Sequence, residues 1–289
     1  MNLSNLHCLY WSATGNTRKI TKSIGNGIAD AIAADSAGQS ASYFPHAAEE
    51  IDFTLPAARE KTYSFSSGDL VIAGAPTYAG KLPNKILPDF QARLKGSDTP
   101  AIAVVTYGNR SFDNSLAELA ATLSANGFLV IGAAAIPCRH AFSDKLAAGR
   151  PDETDLRAAA DFGRKVYEKL AKLKTSPPFA DVEPLHIPGD PAAPYYVPKG
   201  IDGKPAKFLK AKPKTLAERC DRCGVCASVC PMGSISEDPA IVTGICIKCQ
   251  ACIRSCPQHA KYFDDPAFLS HVSMLEANYA APKKIDIFI

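Results

Sequence analysis

Residues 1 to about 173 alternate short apolar runs with segments of helical period. The apolar runs are NLHCLYWS from Asn5, ASYFPH from Ala41, DLVIAGAPTY from Asp69, AIAVVTYG from Ala101 and FLVIGAAAIP from Phe128. They are short, rich in Val, Ile and Ala, and nearly continuous in apolar character, which is how strands covered on both faces read. Between them, TRKITKSIGNGIADAIAA, LPNKILPDFQARL and SLAELAATLSANG carry helical patterns, and DETDLRAAADFGRKVYEKLAKL follows the last strand. That final segment opens with acidic residues and closes on lysines, as the helix dipole favours. The alternation predicts an α/β unit over residues 1–175, with a parallel sheet and crossover helices.

The pattern stops at Ser176. Nine prolines fall between Pro177 and Pro213 without helical or alternating period, so residues 176–214 read as an extended linker. Its second half, KGIDGKPAKFLKAKPK, has six lysines against one aspartate. The expectation is a solvated tether, with a docking patch for an acidic partner as the lesser alternative. A smaller unit follows over 215–289. It contains DPAFLSHVSMLEANYA, patterned as a short amphipathic helix, and the tail KKIDIFI, which either adds a strand or packs on the larger unit.

Composition changes the picture mainly through cysteine. Hydrophobic content of 46% and charged content of 21% fit an ordinary soluble protein, and a net charge of +3 is too small to imply nucleic acid. The N-terminus lacks a basic stretch followed by an apolar run, and FLVIGAAAIPC is too short to span a bilayer. A cytoplasmic protein without a membrane span is therefore expected, in a compartment where clustered cysteines more often hold metal than form disulfides.

Eight of the ten cysteines lie in CDRCGVCASVCP (220–231) and CIKCQACIRSCP (246–257), each reading C-x2-C-x2-C-x3-C-P. A zinc ribbon needs two pairs per ion and has no use for the third cysteine or the proline. A disulfide framework needs an oxidising compartment. Three closely spaced thiolates suit one cubane, while the fourth, before proline, leaves that turn and ligates the other. Cys220, Cys223, Cys226 and Cys256 are thus expected to hold one [4Fe–4S] cluster, and Cys246, Cys249, Cys252 and Cys230 the second. The stretch from 215 to about 263 resembles bacterial-type two-cluster ferredoxins. Gly224, Ala227, Gly233 and Ala251 are expected to be small because backbone and sulfur crowd there.

Between the first strand and first helix lies SATGNT, Ser12 to Thr17. Hydroxyls, an amide and a permissive glycine at a helix N-terminus can ring a phosphate. It is neither a P-loop nor a dinucleotide fingerprint, and GNGIAD at Gly25 carries no weight as one. S-x-T-G-N-T in this position resembles the FMN phosphate loop of flavodoxins. APTYAGKLP, after the third long strand, is similar to the flavodoxin loop that lays an aromatic on one flavin face. TYGNRSFDNS, after the fourth, is similar to the loop covering the other face.

The resemblance implies a doubly wound five-stranded parallel sheet of order 2-1-3-4-5, with FMN at the switch point. Ser12, Thr14, Asn16 and Thr17 would bond the phosphate through side chains, and Ala13 and Gly15 through the backbone. Pro76, Thr77, Tyr78 and Gly80 belong to the first ring loop. Tyr78 and Phe112 would flank the ring, with Tyr107 as the alternative to Phe112, and Gly108 and Asn109 would meet its edge. Arg18 and Arg110 would bring positive charge near the ring and favour reduced flavin; otherwise Arg18 is a solvated helix residue and Tyr107 ordinary core. Cys8 and Cys138 read as buried thiols, Trp11 as packing beside the first strand, and His140 as a loop histidine near the same sheet edge.

The whole chain resembles the flavodoxin–ferredoxin fusion family. The resemblance implies an electron-transfer flavoprotein of low-potential metabolism, relaying electrons between two [4Fe–4S] clusters and FMN for a separate redox partner. The tether would keep the cofactors at roughly millimolar effective concentration. The alternatives are an FMN-dependent reductase of a small acceptor, such as a quinone or nitro compound, and a redox sensor. The carrier is favoured over the enzyme.

Overall fold

The computed structural model describes residues 3–36, 48–172 and 183–289. Strands β1 (Asn5–Tyr10), β2 (Glu49–Asp52), β3 (Asp69–Pro76), β4 (Thr99–Tyr107) and β5 (Phe128–Pro137) form a parallel sheet in the order β2-β1-β3-β4-β5. The longer helices joining or following them are α1 (Asn16–Ser36), α2 (Leu87–Arg93), α3 (Ser115–Ala125) and α4 (Glu153–Lys172). This is a flavodoxin-like fold. The expected second strand, Ala41–His46, lies outside the described residues. The strand that pairs with β1 is Glu49–Asp52, from His7↔Glu49 to Tyr10↔Asp52. It is an edge strand of mostly exposed, acidic character, so it has no apolar signature.

Alternation along the strands fills two core layers. Leu6, Cys8, Leu70 and Ile72 face Ile20, Ile24, Ile28 and Phe162 of α1 and α4. Leu9, Val71 and Ala73 face the opposite layer, with Phe53, Phe90, Leu116 and Leu119. Each such fully buried aliphatic side chain contributes about 1.5–3 kcal/mol. The glycines of α1 and α4 serve packing. A Cβ on Gly27 would lie 2.0 Å from the Ala160 carbonyl oxygen, and one on Gly163 2.3 Å from that of Ile24. The two helices therefore touch backbone to backbone.

The C-terminal unit carries two one-turn helices, α5 (Val225–Ser228) and α6 (Ala251–Arg254), then α7 (Pro266–Asn278). Asp265 caps α7, accepting from the Phe268 N–H at 2.9 Å. Two arginines lock this unit to the larger one. Buried Arg59 donates to the Pro231 carbonyl at 2.7 Å and pairs with Asp89, and Arg254 donates to the Ala141 carbonyl at 3.0 Å and pairs with Asp144. Cys249 and Ala251 join the same apolar layer as Leu9 and Trp11.

The five-strand count is extended by the tail, which adds a strand as one of its two readings had it, and the tether reading of the linker is corrected. The sheet has a sixth strand, β6 (Asp286–Phe288), antiparallel to β5 with Ile287 opposite Ala134. The tail thus leaves the C-terminal unit and covers the open edge of the larger sheet. The described part of the proline-rich linker is not a solvated tether. Tyr196 N–H donates to the Ala79 carbonyl at 2.8 Å, Tyr195 Oη to that of Leu82 at 2.8 Å, and Lys81 Nζ to those of Pro191 and Ala193 at 2.7 and 2.8 Å. Buried Lys81 needs acceptors, and the linker backbone supplies them. Among the described residues no helix is long and apolar enough to cross a membrane.

Candidate functional site: a roofed cavity beside two cysteine basins

A cavity of about 550 Å³ lies at the carboxyl ends of β1, β3, β4 and β5. Its floor includes the Ser12–Thr17 loop at the N-terminus of α1. Ser12 N–H donates to Thr54 Oγ1 at 2.9 Å, and Ser12 Oγ accepts from the Arg18 N–H at 3.1 Å. Thr17, 2% exposed, shares a 2.8 Å hydrogen bond with Thr106 Oγ1. Asn16 Nδ2 donates to the Arg139 carbonyl at 3.3 Å. Gly15 adopts φ +85°, and no heavy atom lies within 4 Å of where its Cβ would sit. Glycine is needed there for the dihedral and not for space. Ser12, Ala13, Thr14, Asn16 and Thr17 line the cavity; Gly15 shapes the turn behind them. Hydroxyls and free N–H groups at the start of a 21-residue helix fit a phosphate.

Pro76, Thr77, Tyr78 and Gly80 all line the cavity, as do Tyr107 and Gly108. Thr77 Oγ1 is held 2.6 Å from Ser115 Oγ. Tyr78 stands edge-on to Trp11 at 5.9 Å. Burial, reinforced by Cys249 and Cys246, holds the Tyr78 phenol well above its ordinary pKa. Gly80, at φ +78°, leaves room for the Asp113 carboxylate, which a Cβ would meet at 2.3 Å.

Two expected ring contacts are corrected, and Arg18 follows the solvated-residue reading of the two given for it. Asn109 does not face the cavity; fully buried, it donates to the Tyr279 and Ala281 carbonyls at 2.6 and 3.0 Å and so holds the chain leaving α7. Phe112 packs against the core and tilts onto Tyr107 at 5.6 Å, leaving Tyr107 to line the cavity. Arg18 turns outward to Glu50, Nε to Oε2 3.0 Å. Arg110 does reach the cavity, 4.0 Å from the Tyr196 ring centre.

The roof was not foreseen. Tyr195, Tyr196 and Phe208 come from the linker, His271 from α7, and Ile245–Lys248 from the second cysteine repeat. Sequence separations above one hundred residues hide such contacts from local pattern. His140 lines the same space. Its Nδ1 accepts from the Phe142 N–H at 3.0 Å, so neutral His140 carries its proton on Nε2. Burial, with His271 and the arginines 110 and 254 nearby, pulls its pKa down to about 4. His271 has the opposite tautomer, Nδ1–H donating to the Lys199 carbonyl at 2.8 Å, and stacks on Phe208.

All ten cysteines are free thiols, which leaves the disulfide alternative without support. Cys8 and Cys138 are buried, as expected, and desolvation raises both, Cys8 to about 12. Two small cavities gather the other eight. Cys220, Cys223, Cys226 and Cys256 bound one, and Cys230, Cys246, Cys249 and Cys252 the other. The 26-residue echo extends to backbone conformation. Arg222 and Lys248 both have φ +57°, Gly224 and Gln250 have +76° and +67°, and Gly233 and His259 have +57° and +49°. Ser234 N–H points at Cys230 Sγ (3.4 Å) and Ala260 N–H at Cys256 Sγ (3.2 Å).

Left-handed turns with amides aimed at sulfur are what a cubane's thiolates require. Gly224 is a glycine for its dihedral, φ +76°, with no protein atom within 4 Å of a Cβ built there. Burial pushes the Cys252 thiol up to about 12 and Cys249 further. Such thiols become ligands when metal charge compensates the buried thiolate. Ile245, Cys246, Ile247 and Lys248 border both the second basin and the large cavity.

Two family models, each described as a 4Fe-4S binding domain, match residues 213–236 and 243–262. No curated protein matches the chain. Among solved structures, a flavodoxin from the domain Archaea is 17% identical, covering 58% of this chain and 99% of its own, with a TM-score of 0.39. Flavodoxin 2 from Bacillus cereus is 16% identical over 57% of this chain and 99% of its own, TM-score 0.37. The flavodiiron core of Flv1 from Synechocystis is 19% identical over 59% of this chain and 37% of its own, TM-score 0.37. The chain has flavodoxin–ferredoxin fusion architecture: an α/β unit with the flavodoxin-like sheet order, joined to a pair of 4Fe-4S binding domains.

Proposed function

We propose that the roofed cavity holds FMN and that the chain relays electrons between it and two cubanes in crossed ligation. Cys220, Cys223, Cys226 and Cys256 hold the outer cluster, and Cys246, Cys249, Cys252 and Cys230 the inner one. A separate redox protein gives or takes the electrons. What carries the reading is the shared wall: Ile245–Lys248 borders both the inner cysteine basin and the flavin cavity. FMN exchanges one or two electrons and each cubane one, so the pair converts between single-electron and pair-electron traffic.

The residues present divide the work. Ser12, Thr14 and Thr17 bind the phosphate, and Tyr78 covers the ring. The linker roof excludes water, which a hinged or freely tethered arrangement would not. The outer basin has exposed Cys223 beside buried Cys226, whereas the inner one has no exposed cysteine and two buried ones, Cys249 and Cys252. Electrons from outside therefore enter at the outer cluster or at the cavity rim.

A second reading, a reductase of a small acceptor, is favoured by one observation. His140 after β5 and His271 of the roof, one a donor and one an acceptor at Nε2, line the same cavity, and a carrier has no need of paired proton-handling groups. Anaerobic reconstitution followed by reductive titration tests both. The relay predicts two cubanes and one FMN per chain, each reducible, with fast electron exchange with a protein donor. Multiple-turnover consumption of a small acceptor would favour the reductase, and a colourless or zinc-loaded protein would end both.

A further inference from the structure

We propose that the exposed face of residues 199–214 is a docking surface for an acidic one-electron carrier protein, seated over the cavity rim with Leu209 at its centre. The inference rests on the relay reading and names its partner class. The segment is fixed from below. Ala206 N–H donates to the Pro198 carbonyl at 2.8 Å, Ala211 and Pro213 are buried, and the Leu209 carbonyl accepts from Lys248 Nζ at 2.5 Å. Lys248 lies between Cys246 and Cys249, so the strap is bonded to the loop of the inner cysteine basin.

Above, at least half of the strap's lysines have no counter-charge. Lys214 pairs with Asp264 and Lys212 donates to the Val242 carbonyl, but Lys204, Lys207 and Lys210 are exposed and meet no carboxylate among the described residues. Six lysines against one aspartate place more positive charge here than the net +3 of the whole chain. Leu209 is 90% exposed, the most of any large apolar residue described, and Ile245, 54% exposed, shares the cavity rim with it.

An apolar centre ringed by one sign of charge is the anatomy of a transient, electrostatically steered interface. The lysines choose an acidic partner. The cavity and cysteine basin directly beneath choose an electron carrier over an anionic membrane, which would contact the lysines without using what lies behind them. One electron passes per encounter: the reduced carrier is oxidised, a centre on this chain is reduced, and no bond forms or breaks.

The test uses the fully loaded protein and a reduced acidic [2Fe–2S] ferredoxin as probe, with electron transfer followed by anaerobic stopped flow. The second-order rate is expected to fall by about tenfold or more from low to high salt, as steered association does. The triple variant Lys204→Gln, Lys207→Gln, Lys210→Gln should lose a similar factor at low salt and flatten the salt dependence, with iron and FMN content and dithionite reduction unchanged. Leu209→Ser should weaken the complex without altering its salt slope. Unchanged kinetics in the triple variant would overturn the docking surface while leaving the relay intact. So would lysine-dependent binding to phosphatidylserine vesicles with ferredoxin transfer unaffected. Centres that dithionite itself cannot reduce would overturn the relay and the inference together.

Discussion

Lys81 Nζ lies 2.9 Å from Glu118 Oε1, and both residues are only 6% exposed. The pair is a hub. Glu118 also accepts from the Leu82 N–H at 2.7 Å, and Lys81 grips the Pro191 and Ala193 carbonyls of the linker. A buried ion pair with every site satisfied fixes geometry more than it adds stability. Removing one partner leaves a buried charge uncompensated, at a cost of about 3–5 kcal/mol. Lys81→Met should therefore lower the midpoint of denaturant unfolding and open the linker to protease. Lys81→Met with Glu118→Gln should recover part of the loss, and a cycle without coupling would refute the hub.

Crossed ligation makes a prediction about cysteines far apart in sequence. Cys256→Ser should impair the same cluster as Cys220→Ser, and Cys230→Ser the same cluster as Cys249→Ser. EPR of the reduced protein should sort the four variants into those two classes, each with half the iron lost and FMN retained. Sorting by repeat instead, with Cys230 in the class of Cys220, would contradict the crossing.

The Gly15 turn tests the proposed flavin site alone. At φ +85° an alanine is strained by about 1–2 kcal/mol, although space for its methyl is free. Gly15→Ala should weaken FMN binding about tenfold by fluorescence titration, and Thr17→Ala should weaken it as well, by removing a hydroxyl at the phosphate loop. Both should keep full iron. Unchanged FMN affinity in both variants would move the phosphate elsewhere.

His140 supplies a pH test. Neutral His140 accepts the Phe142 N–H on Nδ1, and protonation would destroy that bond. Its folded pKa of about 4 lies below the ordinary histidine value of 6.5, so between these values the unfolded chain binds more protons than the folded one. Stability should then fall as pH drops from about 6.5 towards 4, by up to one proton's worth of slope. Imidazole NMR should show His140 titrating near 4, and His140→Phe should flatten the slope. Titration near 6.5 would show the ring to be solvated.

What was legible in the chain followed the range of the forces involved. Cluster ligation is local: C-x2-C-x2-C sets the turn, and the left-handed backbone at Arg222, Gly224, Lys248 and Gln250 follows from presenting three thiols to one centre. Buried parallel strands were legible because both faces are covered, so β3, β4 and β5 read as apolar runs. Glu49–Asp52 was missed because a short edge strand of EEID buries almost nothing. Asn109 was assigned to flavin by its place in a loop, yet its partners, Tyr279 and Ala281, are 170 residues or more away. Proline-rich composition suggested a tether, but composition does not reveal a buried lysine waiting for carbonyls. Long-range hydrogen bonds to backbone leave no side-chain pattern to read.

The closing strand β6 can be tested by its removal. Its partners on β5, Ala133 to Ala135, are fully buried, and without Asp286–Phe288 their edge amides would meet solvent along an apolar strand. The segment leading to it is pinned from two sides: Asn109 Nδ2 holds the Tyr279 and Ala281 carbonyls, and Arg150 Nη1 the Lys283 carbonyl at 2.7 Å. Ile287→Pro interrupts the ladder and should promote self-association through β5, seen as concentration-dependent growth in light scattering. Asn109→Ala leaves the carbonyls of half-buried Tyr279 and exposed Ala281, and the exposed Lys283 N–H, without this partner, a loss of about 0.5–1.5 kcal/mol per bond. Because Asn109 sits in the loop that also presents Tyr107 and Gly108 to the cavity, that variant should loosen FMN as well, whereas Ile287→Pro should not. If both variants weaken flavin equally, the tail and not the asparagine positions the loop.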